Sequence, residues 1–404
     1  MDDKAILDFQ KRVERELHED ILPFWLERSI DPQNGGFIGR MMNDLTVIED
    51  APKGLILNSR ILWTFSAVYR CNRDPRFLEL AQRAYDYFNQ CFWDKEFGGA
   101  FWLLDHQGHC LDDKKKIYGQ AFCIYALSEY FLAVGFEPAL QRAKELFQRM
   151  EENSHDGKDQ GYFETCNRDW SLAEDSRLSE KDMNEKKSMN NHLHVLEAYT
   201  NLFRVWNEES LRRRLIELID LFQRRILNPA QTHFQHFFDE RWVPKSSSYT
   251  FGHDIEGSWL LWEAAEVLGD TAILSKVRDT ALSLAEAVRD QGFDADGGLF
   301  YEGEQGTIID HNKEWWPQAE AVVGLLNAYS LSGEEKYFHA ARNCWAFIEN
   351  RIVDRRYGEW FWRVSREGMP DDGEPKISEW KCPYHNTRAC LETLRRLQSI
   401  LNGG

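Results

Sequence analysis

Three histidines and a set of carboxylates stand where apolar stretches begin. The segment Phe251 to Trp262, FGHDIEGSWLLW, places His253, Asp254 and Glu256 ahead of Trp259, Leu260, Leu261 and Trp262. Acids in a first helical turn suit the helix dipole, which accounts for Asp254 and Glu256 but not for His253. NNHLHVLEAY supplies Asn190, Asn191, His192 and His194, and YHNTRAC supplies Tyr384, His385, Asn386 and Arg388. Three further starts carry Asn58 and Arg60, Tyr118 and Gln120, and Glu314, Trp315, Trp316 and Glu320; Glu379 and Trp380 precede the last. Imidazole takes and returns protons near neutral pH. Two imidazoles facing each other across a sugar would remove a proton from one face of a carbon and deliver one to the other. Arg60 would meet the oxygen that gains negative charge. Glu256 or Glu320 would bond sugar hydroxyls, or hold a histidine ring in one tautomer and raise its pKa.

The competing chemistry is a metal, since His192 and His194 form an HxH pair and His253 has acids nearby. Residues two apart on a helix point away from each other, so the pair shares a metal only if the helix begins after it. No metal is expected.

Positioning these groups needs a repeated unit. A glycine–aromatic turn recurs as NGGF at 34–37, FGGAFW at 97–102, QGYFE at 160–164, HFQHFFDERW at 233–242, DGGLFYEG at 296–303 and YGEWFW at 357–362. Each glycine is expected to supply a positive φ in a tight turn, with Gly36, Gly99, Gly161 and Gly298 at matching places. Apolar helices follow the turns, at 58–70, 118–134, 190–206, 253–268, 315–331 and 384–401. Amphipathic ones lie at 4–27, 76–91, 137–151, 209–227, 271–290 and 335–351, the first with Ile6, Phe9, Val13, Leu17 and Ile21 as one stripe. Helices hydrophobic all round belong inside, and striped ones outside. The expected fold is all-α: an (α/α)6 barrel of six inner and six outer helices, with short β-hairpins in the loops, as one domain over residues 1–404. An open solenoid would need polar terminal caps, and the terminal helices look like ordinary members. Parallel inner helices gather their N-termini at one end, so the six polar starts make a cavity with aromatic walls. The polar stretch Asp169 to Lys187 is expected to be exposed or to order over that cavity.

Composition sets limits. A net charge of −18 argues against nucleic acid or an anionic membrane as partner. No stretch is expected to span a bilayer, and MDDKAILDF has no signal-peptide pattern. Eight scattered cysteines without CxxC suit reduced thiols and a cytoplasmic location. Fifteen tryptophans, many beside Gly, Asp or His, suit a sugar cleft. Oligomeric state is not readable.

The pieces NSRILWTFS, NNHLHVLEAYTNL, GHDIEGSWLL, EWWPQAEA and EWKCPYHNTRAC, spread over nearly the whole chain, together resemble the N-acylglucosamine 2-epimerase superfamily and, within it, the cellobiose 2-epimerase branch. The resemblance implies an (α/α)6 barrel, no cofactor, and epimerisation at C2 of the reducing-end glucose of β-1,4-linked disaccharides such as cellobiose, lactose or mannobiose. It implies His253 and His385 as the catalytic acid/base pair and His194 as a supporting histidine. Arg60, Tyr118, Asn190, Glu256, Trp259, Trp316, Glu320 and Trp380 would be substrate-site positions. Ring opening would expose an aldehyde, a histidine would take the C2 proton, and a cis-enediolate would be re-protonated on its other face. Alternatives are an aldose–ketose isomerase through the same intermediate, an N-acylglucosamine 2-epimerase, and an (α/α)6 glycoside hydrolase using two carboxylates from Glu256, Glu320, Asp254 and Glu164. A non-catalytic sugar-binding barrel is the last.

Overall fold

The computed structural model describes residues 3–402 except Gln231. Thirteen α-helical segments among them form two concentric layers. The inner helices are α3 (Leu55–Asn72), α5 (Ile117–Val134), α7 (Met189–Val205), α9 (Phe251–Leu268), α11 (Trp315–Ser332) and α13 (Tyr384–Leu401). Each packs on the next, and α13 packs back on α3, closing the ring. The outer layer is α1 (Asp3–Glu16) continued by α2 (Leu22–Arg28), then α4 (Pro75–Tyr87), α6 (Glu137–Asn153), α8 (Glu209–Leu221), α10 (Thr271–Gln291) and α12 (Glu335–Phe347). The fold is an (α/α)6 barrel. Local sequence explains the two layers. In α4, Phe77, Leu80, Ala81 and Ala84 form one buried stripe, and the helix starts on an Asp74 cap followed by Pro75. In α5, buried residues run all round. Although the sequence suggests no bilayer-spanning stretch, Ile117–Val134 is long and apolar enough by length and composition; its apolarity serves the core, with 83% of it buried.

Short strands stitch the units together. The residues leading into five of the inner helices pair antiparallel with a strand of the following unit: Lys53–Gly54 with Leu103–Leu104, Lys115–Lys116 with Thr165–Cys166, Lys187–Ser188 with Phe237–Phe238, Ser248–Thr250 with Glu302–Glu304, and Lys313–Glu314 with Arg363–Val364. Met41–Met42 with Pro375–Ile377 closes this second ring.

The turns correct one expectation. Gly36, Gly99 and Gly161 have positive φ and sit just before the bridged residues Phe37, Ala100 and Tyr162. Gly298 holds the matching place before Leu299, but its φ is not positive. The Phe293–Leu299 turn is one residue shorter than the Trp93–Ala100 turn, and Gly297 takes the left-handed conformation instead. In the sixth unit Glu359, with φ 64°, occupies the glycine's register, and Gly358 stands one residue earlier.

A second feature of the repeat escaped the sequence reading. Five turns are locked by a lysine that precedes an inner helix and an aspartate that opens the turn: Lys53–Asp31 (2.7 Å), Lys115–Asp94 (3.0 Å), Lys187–Asp156 (2.8 Å), Lys313–Asp294 (3.1 Å) and Lys376–Asp354 (2.8 Å). These lysines are buried, and Lys53, Lys187 and Lys376 also donate to main-chain oxygens. The fourth unit uses Asn228 at the turn and stacks His233 on Tyr249 at 3.7 Å.

Candidate active site

The polar helix starts meet in one cavity of about 540 Å³ at the N-terminal end of the inner ring. The residues reach it on two rungs. Tyr118, Asn190, Trp316 and His385 are the second residues of their helices; Arg60, His194 and Glu256 are the sixth of theirs, one turn further in. His253 is the third residue of α9. The three histidines therefore occupy different repeat positions, and different rungs of different helices converge. His253 and His385 both pack on Trp316, with ring centroids 4.8 and 5.6 Å away, and both line the cavity. His194 stands 5.0 Å from the Tyr118 ring, and Tyr118 6.1 Å from Trp380.

Not every polar helix start faces the cavity. Gln120 bonds both main-chain groups of Ala100, His192 accepts from Tyr162 N and contacts Ser188 O, and Asp254 accepts from Phe234 N and meets His233. Gln318 does the same for Leu299. These side chains, four residues into their helices, anchor the turns. The HxH pair is thereby split between scaffold and site. Trp259 and Glu320, grouped with the substrate positions by resemblance, are fully buried behind the cavity floor and do not line it.

That floor is an ionic network around Arg388. Its guanidinium donates to Glu256 (2.6 Å) and Glu320 (2.8 Å) and makes a very short contact to Glu197. Glu320 also accepts from Trp259 Nε1 (3.0 Å) and contacts His385 Nδ1 (2.6 Å); Glu197 contacts His194 Nδ1 (2.9 Å). Burial alone would raise both Glu197 and Glu320, but Arg388 and the adjacent histidine hold them low, Glu197 at about 2. Glu256 goes the other way: burial and Glu320 push it well above the carboxylate range, against Arg388. Among the described residues its Oε2 has no partner. Glu256, Glu320 and His385 bring ligand atoms within 4.8 Å of one another, a spacing compatible with a cation, but Arg388 already bridges the two carboxylates.

Burial lowers all three histidines, His385 to about 3. The expectation that a neighbouring carboxylate makes the imidazole more basic is reversed for His194 and His385, because burial and the positive charges of Arg60 and Arg388 outweigh it. The rings are neutral at physiological pH. With Glu320 ionised, His385 Nδ1 donates to it, which leaves the Nε2 lone pair free. Arg60 donates to Tyr118 Oη at 2.9 Å and lies over the Phe122 and Tyr384 rings. Burial keeps the Tyr118 phenol neutral, and Arg60 stays charged.

The cavity mouth was read in part, since the polar stretch Asp169 to Lys187 was expected to be exposed or to order over the cavity. Leu178, Ser179, Glu180, Lys181 and Asp182, from the polar stretch, lie along it. Lys116 holds this loop through the carbonyls of Arg177 and Leu178. Tyr301, Trp362 and Arg363 also line the cavity, with Glu314, pushed to about 7 by burial. Tyr301 and Trp362 belong to glycine–aromatic turns, so their signal was the aromatic that follows the glycine. Glu197 had a signal too: it stands three residues after His194, one helical turn on.

This geometry meets a consistent set of relatives. The N-acylglucosamine 2-epimerase family model matches residues 36–389. The chain belongs to the N-acylglucosamine 2-epimerase family. It is 45% identical to a cellobiose 2-epimerase of Bacteroides fragilis over 386 residues, covering 95% of this chain and 98% of the relative. A cellobiose 2-epimerase of Dictyoglomus turgidum is 39% identical over 94% of this chain and 97% of its own length. The solved cellobiose 2-epimerase of Bacillus thermoamylovorans superimposes with a TM-score of 0.92 at 38% identity, covering 96% of this chain and 99% of that one. The protein is a carbohydrate epimerase.

Proposed function

We propose that this epimerase inverts C2 of the reducing-end glucose in β-1,4-linked disaccharides, converting cellobiose to glucosyl-mannose and lactose to epilactose without a cofactor. The observation that carries the reading is that two neutral imidazoles, His253 and His385, both pack against Trp316 and open to one cavity. The names of the relatives support the substrate class. Ring opening exposes the C1 aldehyde, which acidifies the C2 proton. One histidine takes that proton; the C–H electron pair forms the C1–C2 double bond, and the carbonyl pair moves to O1. Arg60 and the neutral Tyr118 phenol stabilise the charge on O1. The other histidine protonates C2 from the opposite face. His194, held by Glu197, supports the ring-opened sugar beside Tyr118. Asn190 and Glu256 bond hydroxyls, and Trp316 and Trp380 stack on sugar rings. Trp259 and Glu320 act from behind, by fixing His385.

Hydrolysis fits less well. Glu256 and Glu320 sit side by side on one guanidinium nitrogen, Asp254 is tied to His233, and Glu164 is tied to Ser188. A hydrolase needs two carboxyl groups flanking the scissile bond, about 5 to 9.5 Å apart.

Incubation with cellobiose in deuterated water is the test. The 2-epimer should form with deuterium at C2, and His253→Ala and His385→Ala should each lose at least about 10²-fold in rate, as general acid–base groups do. Glucose release in place of an epimer, or full turnover by either variant, would sink the proposal.

A further inference from the structure

The two histidines of the proposed pair are held by different chemistry. His385 Nδ1 faces the ionised Glu320, and His194 Nδ1 faces the ionised Glu197. His253 Nδ1 instead meets a neutral hydroxyl, Thr250 Oγ1, at 2.5 Å. Thr250 is the N-cap residue of α9, with extended backbone angles of −111° and 131°. A threonine there ordinarily accepts a hydrogen bond from the main-chain N–H two or three residues on, as Ser188 accepts from Asn191 N at the start of α7. Thr250 makes no such bond. Its hydroxyl is turned to the histidine ring, and its own N–H is given to His236 Nε2 at 3.2 Å. The helix has given up a cap, and His253 has gained a partner.

We propose that Thr250 is a positioning residue for His253: its hydroxyl engages Nδ1, presents Nε2 to the cavity, and leaves this imidazole without the carboxylate support that His385 enjoys. The inference rests on the epimerase reading above. The groups around His253 are the Thr250 hydroxyl, the His236 ring at 5.7 Å and the Trp316 ring at 4.8 Å. None is an acid, and Asp254, next in sequence, is spent on His233 and Phe234 N. A proton taken up by His253 is therefore held less firmly than one on His385, where Glu320 stabilises the imidazolium. For the epimer whose C2–H faces His385, Nε2 of His385 takes the proton, and the electron pair passes through the enediolate to O1. His253, neutral at rest and charged for this turnover by a proton from water, then delivers Nε2–H to the opposite face of C2 while the O1 pair reforms the carbonyl. One proton has moved from His253 to His385, and exchange with water restores both. In the reverse direction His253 must be the base, and it depends on the Thr250 hydroxyl for orientation.

The test compares Thr250→Val, which keeps shape and removes the hydroxyl, with Thr250→Ser, which keeps the hydroxyl. Thr250→Ala serves if valine does not fold. Cellobiose and its 2-epimer are supplied separately in deuterated water, and C2 deuterium is followed in remaining substrate and in product. Thr250→Val should epimerise about tenfold or more slowly with KM nearly unchanged, a fraction of the 10²–10⁴ that acid–base catalysis supplies. One of the two sugars should still exchange its C2 hydrogen without inverting, the signature of one intact base and one impaired base. Thr250→Ser should recover most of the rate. Wild-type turnover in Thr250→Val, or exchange and inversion falling together with no rescue by serine, would overturn the proposal. If the wild type epimerises neither sugar, the epimerase reading itself has failed. The ¹⁵N shifts of His253 then decide the matter alone: they should change in Thr250→Val and return in Thr250→Ser, and shifts unaltered by valine would overturn the assignment.

Discussion

Two sets of buried charges sit in this barrel, and they are built on opposite principles. In the ring of turns, each lysine meets the aspartate that opens its turn, and a cation stands for each acid: Arg168 joins Lys115 on Asp94, and Lys313 with Arg366 serves Asp294 and Asp296. Against the burial that alone would raise them, Asp31, Asp94, Asp156 and Asp294 are held below the usual carboxylate range. On the cavity floor, three carboxylates share one guanidinium. Two of them, Glu197 and Glu320, stay ionised, and Glu256 is driven toward its protonated form. Balanced pairs hold geometry and have no proton to give. A cluster with surplus acid binds a proton that it yields when its surroundings change. The contrast separates scaffold from site more sharply than the burial of their cations does, since the five lysines are as buried as Arg388.

The strongest way to break the contrast is to remove the shared cation. Arg388→Met leaves three buried carboxylates with no guanidinium. Losing one member of a buried ionic cluster costs about 3–5 kcal/mol, and urea denaturation at neutral pH should show a loss of that size. His385 and His194, no longer repelled by Arg388 and still beside Glu320 and Glu197, should titrate at higher pH, which NMR of the rings would detect. A variant within about 1 kcal/mol of wild type would mean that the network is no more than a surface-like ion pair, and the contrast would fall.

Breaking a scaffold pair should cost less. Lys187→Met removes the partner of Asp156, yet Asp156 keeps bonds from the main-chain N–H groups of Lys158 (2.9 Å) and Asp159 (3.1 Å). The carboxylate is left under-satisfied but not orphaned, so the loss should be about 1–3 kcal/mol, with cellobiose turnover at saturating substrate largely retained. A loss equal to that of Arg388→Met would show that the turns store as much electrostatic energy as the floor.

How far the sequence carried depends on what each residue answers to. The two layers follow from periodicity: Phe77, Leu80, Ala81 and Ala84 make a stripe that only an outer helix needs, and the unbroken apolar run of Ile117–Val134 suits only an inner one. The converging starts followed from the repeat, which is why Arg60, Tyr118, His194, His253 and His385 were nameable before any coordinates. What the letters did not carry was direction. Gln120, His192 and Asp254 look as chemical as Tyr118, Asn190 and His253, but they stand on the helix face turned toward the glycine turns. The Lys–Asp pairs were hidden because partners about twenty to thirty residues apart give no periodic signal within one helix. The conformation of Gly298 depended on the length of its turn, and a repeat found by matching glycines cannot see a deletion of one residue. For Glu320 the letters allowed a sugar contact or a hold on a histidine ring, and the structure has the second, on His385 Nδ1; sequence could not choose, since both kinds of side chain can share the same helix rung.

The smallest effect probes the place where both principles meet, at the closure of the ring. Asp20 lies on the π turn Leu17–Ile21 between α1 and α2, facing Glu16 and Glu359. Glu359 has balanced partners in Lys381 (2.5 Å) and Trp25 Nε1 (2.7 Å), and Glu16 has Arg355 (3.1 Å) and Trp360 Nε1 (2.9 Å). Asp20 accepts a long bond from Glu359 N (3.3 Å), has no cation beside it among the described residues, and in its protonated form shares a hydrogen bond with Glu16. Burial, then Glu16 and Glu359, raise its pKa from 3.8 to about 8. A carboxyl whose folded pKa lies above its unfolded value takes up a proton on folding, so it subtracts stability as pH rises from 3.8 toward 8 and carries its full cost above that. The side-chain amide introduced by Asp20→Asn keeps the shape, cannot ionise, and donates to Glu16 in place of the acid proton. The variant should melt with wild type at about pH 4 and exceed it by on the order of 2 °C at about pH 8, the gap opening across that interval. A gap that stayed constant, or opened toward acid, would place Asp20 among the balanced pairs and leave the cavity floor as the one acid-rich cluster of this contrast.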